Sequence, residues 1–142
     1  MDNVAQNPRL IDFSQVGDTT IGYLTVTQNS SLPFVIQRVY WTYSVSEEVV
    51  RGHHAHKELE QLIFATSGTI EMELKGLYGP PETFVLDSPH IGLYIPRHYW
   101  RTIKFSQDAV LMCLASQEYE PSDYIHDYTE FLALGEKVGS NI

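Results

Sequence analysis

The chain has 142 residues, 43% of them apolar, with eighteen acids against nine bases and a formal net charge of -9, which suits one domain over 1–142 with a core of its own. That charge excludes nucleic acid as a partner, because a phosphate backbone demands a basic surface; a small anion is admissible where a few Arg and Lys residues converge. No apolar run approaches the roughly 18 residues of a membrane span and no charged-then-apolar leader opens the chain.

Residues 1–9 are polar with one proline and read as a loose start. Short apolar runs at Leu10–Phe13 and Ile21–Val26, broken by Gly17-Asp18 and Gly22, read as two strands. Phe34 to Tyr43 gives the clearest strand signal in the chain, rich in aromatic and β-branched residues. Alternation sets Val35, Val39, Trp41 and Tyr43 on one face, with Trp41 expected in barrel packing, and Arg38, Tyr40 and Thr42 on the other. A strand with one apolar and one hydrogen-bonding face fits a barrel whose lumen holds a polar ligand.

After the acidic loop 44–50 comes Arg51-Gly52-His53-His54-Ala55-His56-Lys57, in which three of the six histidines stand within four positions. Further strands are expected over 59–65, 69–74, 83–86, 91–95, 100–105 and 109–115, with Ser67-Gly68 as a hairpin turn between the first two. The last of these strands is apolar throughout, hence buried on both sides, and carries the only cysteine, Cys113. That residue reads as a buried structural thiol. Without a disulfide partner it points to a reducing, cytoplasmic setting. Pro121-Ser122-Asp123 reads as a helix start with Ser122 as cap, and the apolar residues from Tyr124 to Leu132 repeat at helical spacing up to Gly135, giving a terminal helix over 121–134. About nine or ten short strands followed by one helix predict an all-β fold, a barrel or jelly roll.

The chemistry concentrates at the histidines. In a strand, residues two apart share a face, so His54 and His56 can act on one small molecule or hold one metal ion. The pattern His54-x-His56 followed by Glu60, then Gly68, resembles the first motif of the cupin superfamily. Many members of that superfamily bind a transition metal through those two histidines, the glutamate and a further histidine of a second motif. Here the second motif falls at Pro96–Arg101, and its ligand position holds Arg101, a permanent cation. Glu60 is expected either to hydrogen-bond within the barrel or to polarise a histidine. His53 reads as a turn or strand residue facing away from the pair, and His90, His98 and His126 as surface residues.

Arg-Gly-x-His-x-His-Lys at 51–57, Leu59-Glu60-Gln61, Gly92-Leu93-Tyr94-Ile95 and Ala115-Ser116-x-x-Tyr119-x-x-x-Asp123-Tyr124-Ile125 together resemble the nucleotide-sugar 3,4-ketoisomerases, from about Arg38 to Phe131. The resemblance implies a cupin jelly roll similar to the dTDP-sugar 3,5-epimerases, with no cofactor and no metal, assembled as a homodimer in which strands at about 9–27 are exchanged. It also implies a dTDP-4-oxo-6-deoxyglucose substrate, made ready for a downstream 3-aminotransferase in deoxyamino-sugar biosynthesis. Moving a ketone from carbon 4 to carbon 3 needs a base near neutral pH and a donor for the enediolate. His54 is expected to take the carbon-bound proton, while His56 contacts the sugar oxygens or orients its neighbour; the reverse assignment stays open. Arg51, Lys57 and Arg38 are the expected diphosphate partners. Tyr40 and Gln61 are read as hydrogen-bonding contacts, Tyr43 as the base-stacking ring and Gly52 as a residue that lets the backbone approach the ligand or make a tight bend. Trp100 and Arg101 complete the substrate-binding set, with Arg101 donating to the enediolate. In this family Trp-Arg, as at Trp100-Arg101, goes with a gluco-configured product; the second position linked with that choice is Ile21, before Gly22. Two other classes stay open: a metal cupin using His54, His56 and Glu60, and a catalytically silent cupin that binds a nucleotide sugar.

Overall fold

The computed structural model describes residues 6–139. Residues 1–5 of the loose start fall outside that range, as do residues 140–142. The strands are β1 Arg9–Asp12, β2 Val16–Asp18, β3 Gly22–Leu24, β4 Arg38–Thr42, β5 Val50–His56, β6 Gln61–Ser67, β7 Ile70–Lys75, β8 Glu82–Leu86, β9 Ile91–Ile95, β10 Trp100–Phe105, β11 Val110–Ala115 and β12 Tyr124–Ile125, followed by the helix α1 Tyr128–Gly139. Two antiparallel five-stranded sheets, ordered β1-β9-β6-β11-β4 and β12-β5-β10-β7-β8, lie face to face, and β2 and β3 form a separate ribbon. This is the jelly roll of the cupin fold.

Period-two patterning builds the sandwich. On β7, Ile70, Met72 and Leu74 are buried while Glu71 and Glu73 are exposed. The inward row meets Ile63, Leu93, Ile103, Phe105 and Leu111 in the core between the sheets, and its removal from water is the main force holding the sheets together. On β11, Leu111, Cys113 and Ala115 enter that core, while Leu114 packs with Leu62, Phe64, Tyr94 and Phe34 on the other face of its sheet. Burial on both sides, as read from the sequence, is what this central strand shows.

Three expectations are corrected. Ser67-Gly68 is a turn but not a hairpin, because β6 pairs with β9 and β11 whereas β7 pairs with β8 and β10. The chain changes sheet there, so the apolar rows of the two strands face each other across the core. Gly68 is required at φ +68°, where a Cβ would stand 2.7 Å from the Ala109 Cα.

The terminal helix starts later than its apolar spacing suggests. Pro121–Asp123 is a single 3-10 turn, and Tyr124 and Ile125 pair with His56 and Ala55 as a short strand. Asp127, rather than Ser122, caps α1, its Oδ1 accepting from the Thr129 and Glu130 amides at 2.8 and 3.1 Å. The helix passes through Gly135 to Gly139.

Trp41 is not packed inside a barrel: on edge strand β4 it is 62% exposed, beside Val39 at 48%. The apolar face of β4 points outward, and its polar face points between the sheets. Of the two N-terminal runs, Leu10–Phe13 falls on β1, paired with β9, whereas Ile21–Val26 falls on β3, which with β2 forms a ribbon that stands clear of the core, with Val16, Ile21 and Leu24 all at least 60% exposed. Among the described residues no helix is long and apolar enough to cross a membrane.

Candidate active site

A cavity of about 430 Å³ lies between the sheets. One wall is Arg38, Tyr40 and Thr42 of β4 with Gln61 of β6; the other is Arg51, Gly52 and His54 of β5, Arg101 of β10 and Tyr124 of β12, while Ile63, Ile103, Phe105 and Leu111 form its apolar part. Strand alternation explains this set, since the polar face of β4 and the inward face of β5 confront one another.

Arg101 is the most unusual group in it. Its side chain is 2% exposed, and it donates through Nη1 to the Gln61 Oε1 and through Nη2 to the Tyr99 carbonyl, the latter at 3.0 Å. Its Nε has no partner, and neither ion pair found among the described residues, His56–Asp123 and Arg97–Glu58, involves it. Burial pulls the guanidinium below its ordinary pKa, but arginine does not give up its proton in proteins, so the charge persists and is not neutralised by a carboxylate. Arg38 adds a second buried Nε without a partner, its guanidinium 5.4 Å from the Tyr40 ring centroid and 5.8 Å from that of Tyr119.

The two histidines have different settings. His54 lines the cavity, with Nδ1 3.0 Å from the Gly52 carbonyl. A carbonyl only accepts, so Nδ1 carries the proton and Nε2 keeps a free lone pair. Burial first, and the Arg101 charge second, hold His54 down at a pKa of about 4. His56 stands behind it, 1% exposed, with ring centroids 4.9 Å apart and planes at 90°. Its Nδ1 lies 2.9 Å from Asp123 Oδ2, while Asp123 Oδ1 accepts from the Glu58 amide at 2.7 Å. Burial and then Arg101 push His56 below the ordinary imidazole value; the adjacent carboxylate acts in the opposite sense and fixes the ring. Both imidazoles are therefore neutral at neutral pH, and His54 alone presents a free nitrogen at the cavity wall.

Most of the expected site residues converge. Arg38, Tyr40, Arg51, Gly52, His54, Gln61 and Arg101 border one cavity, and His56 supports it from behind. Gln61 is 2% exposed and donates from Nε2 to the Tyr40 hydroxyl at 2.8 Å. Gly52 has φ +96°, and a Cβ there would meet the Arg101 carbonyl oxygen at 2.8 Å, so of the two expectations it is the tight bend that the structure shows, with the backbone of β10 as the close neighbour.

Three residues are placed elsewhere. Tyr43, 63% exposed, lies on the outward face of the β4 segment with Trp41 and borders a different groove, because its odd spacing from Tyr40 puts it on the other side. Trp100 alternates with Arg101 and so faces away from the cavity, packing on Tyr128 and Phe131 of α1 at 5.1 and 5.9 Å between centroids. Lys57 follows the end of β5 and is exposed outside the cavity lining. The donor set of a metal cupin is likewise not brought together: the Glu60 carboxylate accepts from the Tyr94 hydroxyl, away from the histidines. Among the described residues no group of three or more His, Cys, Asp or Glu side chains is arranged to hold a metal ion.

Some site residues had no local signal. Asp123 and Tyr124 stand more than sixty positions beyond the histidines and read as part of a helix, yet the β12–β5 pairing brings Tyr124 to 4.5 Å from the His56 ring and 5.2 Å from that of His54. His126, expected on the surface, is exposed but stacks on Tyr124 at 5.4 Å, 6.1 Å from His54. The one pointer to this segment was its place in the family-like motif at 115–125.

Comparison with known proteins agrees with this geometry. The family model FdtA, described as WxcM-like, C-terminal, matches residues 6–136. A curated TDP-4-oxo-6-deoxy-α-D-glucose-3,4-oxoisomerase from Aneurinibacillus thermoaerophilus is 36% identical over 124 residues, covering 87% of this chain and 88% of the relative. Among solved structures, a TDP-quinovose 3,4-ketoisomerase from Campylobacter jejuni is 37% identical with a TM-score of 0.84, covering 90% of this chain and 98% of that one. A His-to-Asn variant of a 3,4-ketoisomerase from Thermoanaerobacterium thermosaccharolyticum, in complex with TDP-4-keto-6-deoxyglucose, is 33% identical with a TM-score of 0.87, covering 92% of this chain and 95% of that one. The chain belongs to the FdtA (WxcM-like, C-terminal) family of sugar 3,4-ketoisomerases and is an isomerase.

Proposed function

We propose that this isomerase converts dTDP-4-oxo-6-deoxyglucose into the gluco-configured dTDP-3-oxo-6-deoxyhexose through an enediol. The observation that carries the reading is the pairing, in one cavity, of a neutral His54 with the uncompensated cation of Arg101. His54 Nε2 takes the proton on carbon 3 as the ketone at carbon 4 gains negative charge, and Arg101 stabilises that charge. The Tyr40 hydroxyl accepts from Gln61 and rests against the Cys113 thiol; it turns its proton to the bound sugar, where it protonates O4 and takes the proton from O3. Carbon 4 then takes a solvent-derived proton on the ring face opposite His54, as a gluco configuration requires, and His54 gives up its own proton to solvent. His56, held by Asp123 and hidden behind His54, orients that ring, which favours His54 over His56 as the base. Arg38 and Arg51 hold the diphosphate.

Likeness to a TDP-quinovose enzyme and the presence of Arg101 both support the gluco configuration; Ile21 adds nothing to that choice. The product is a 3-oxo sugar suited to a downstream 3-aminotransferase acting in the cytoplasm. The chain works as one domain and pairs as a homodimer through the N-terminal strands 9–27, a reading supported by the exposed apolar row of β4 and by the β2–β3 ribbon, whose Ile21 is 79% exposed.

Incubation with dTDP-4-oxo-6-deoxyglucose in heavy water, followed by proton NMR, tests the reaction. A gluco-configured 3-oxo product is expected, with turnover reduced about 10²–10⁴-fold in His54→Asn while dTDP binding persists. A galacto-configured ring, or undiminished exchange at carbon 3 in that variant, would refute the assignment.

The low pKa of His54 sets the pH dependence. A base is lost as pH falls through its pKa, so the acid limb of kcat/KM is expected near the value of about 4 and not at the ordinary 6.5. The unfolded ring takes up its proton at about 6.5, so His54 also lowers stability as pH falls from there toward 4. An acid limb at 6.5 would show that another group is the base. Light scattering at micromolar concentration should give twice the 16.2 kDa chain mass, and a monomer would contradict the pairing.

A further inference from the structure

His53 lies outside the cavity lining and is exposed, yet its backbone has φ +57°, in the left-handed region uncommon for a residue with a side chain. Its neighbour Gly52 also has positive φ, at +96°. The reason is in the sheet register. Across the β5–β10 ladder, Arg101 pairs with His54 and Thr102 pairs with Gly52, so His53 is the unpaired extra residue of a β-bulge.

That extra residue changes which side chains share a wall. Side chains three apart on a regular strand point to opposite faces, so Arg51 would face away from the cavity if His54 faces it. With His53 taken out of the ladder, Arg51 pairs with Ile103 on the cavity side while His54 pairs with Arg101 on that same side. The bulge thereby brings a cation and the free imidazole nitrogen into one cavity. It also turns the Gly52 carbonyl onto His54 Nδ1 at 3.0 Å, which sets the tautomer of that ring. The His53 side chain closes the device, with Nε2 3.0 Å from the carbonyl of Val50 on the far side of the bulge.

We infer that His53 is a positioning residue: through its left-handed backbone and its ring hydrogen bond to Val50 it holds the bulge that places Arg51 and His54 on one cavity wall. The inference rests on the reading of Arg51 as a diphosphate contact and of His54 as the base. It predicts coupling between positions 51 and 53, since residues acting through one structural element are not additive.

Calorimetric binding of dTDP to the full chain tests it in wild type, Arg51→Ala, His53→Val and the double variant. Arg51→Ala and His53→Val should each weaken binding about tenfold, and the double variant should be no more than about twofold weaker than either. His53→Asn, whose side chain tolerates positive φ and can hydrogen-bond a nearby backbone carbonyl in place of the ring, should stay within about threefold of wild type. Should His53→Val not fold, His53→Gly keeps the backbone and removes only the ring bond. Nitrogen-15 NMR of the unliganded protein supplies a readout independent of nucleotide: His54 carries its proton on Nδ1 in wild type and becomes a tautomer mixture in the Val or Gly variant. Additive losses, or a His53→Val protein with wild-type affinity and an unchanged His54 tautomer, would overturn the inference. Failure of wild type to bind dTDP would instead refute the nucleotide-sugar reading, and the tautomer comparison would then decide the role of the bulge.

Discussion

A buried guanidinium without a carboxylate is the constraint on which this site depends. Arg101 is 2% exposed, and its two hydrogen bonds go to neutral oxygens. Removing such a charge from water costs several kcal/mol that no ion pair among the described residues repays. A fold tolerates that cost when the charge meets an anion that arrives with the ligand. Burial, and this same charge after it, lower the pKa of His54 and His56, so one residue would both prepare the proposed base and meet the proposed oxyanion. Gln61 links this cation to Tyr40, which joins the proposed acid and the proposed oxyanion donor in one network, with His54 beside it on the same cavity.

The rest of the fold holds that network in place. The apolar core between the sheets fixes β5, β10 and β4 at a spacing that leaves a cavity where their inward residues turn polar. The terminal segment locks the histidine strand from behind: Ile125 and Phe131 bury Ala55, and the β12 pairing sets Asp123 against His56. Asp123 is thus one link in a chain running from the C-terminal helix to the cavity wall, with the His56 ring between the carboxylate and His54.

Local sequence carries much of this and misses the remainder for identifiable reasons. Alternation on β4 is enough to place Arg38 and Tyr40 toward the cavity, and the same alternation puts Tyr43, three residues on, on the opposite face from Tyr40. Trp100 falls to the same rule beside Arg101. Arg51 is the opposite case, since it reaches the cavity by breaking alternation, and a bulge of one residue leaves no mark in the hydrophobic pattern. The terminal segment 121–127 could not be read locally, because apolar residues spaced for a helix also suit two strand residues and a 3-10 turn. Sheet membership was illegible as well: Ser67-Gly68 has the composition of a hairpin turn, while the choice to cross between sheets is made by distant apolar partners. The contact between Asp123 and His56, 67 positions apart, belongs to tertiary structure alone.

The measurement closest to the centre of this account is Arg101→Met, following turnover and thermal unfolding together. The buried charge serves the reaction and costs the fold, so turnover should fall at least about 10²-fold, as for loss of an oxyanion donor, while the melting temperature stays at or above that of wild type. A variant that keeps turnover within a few-fold of wild type but melts well below it would show Arg101 to be a structural residue and would contradict the account.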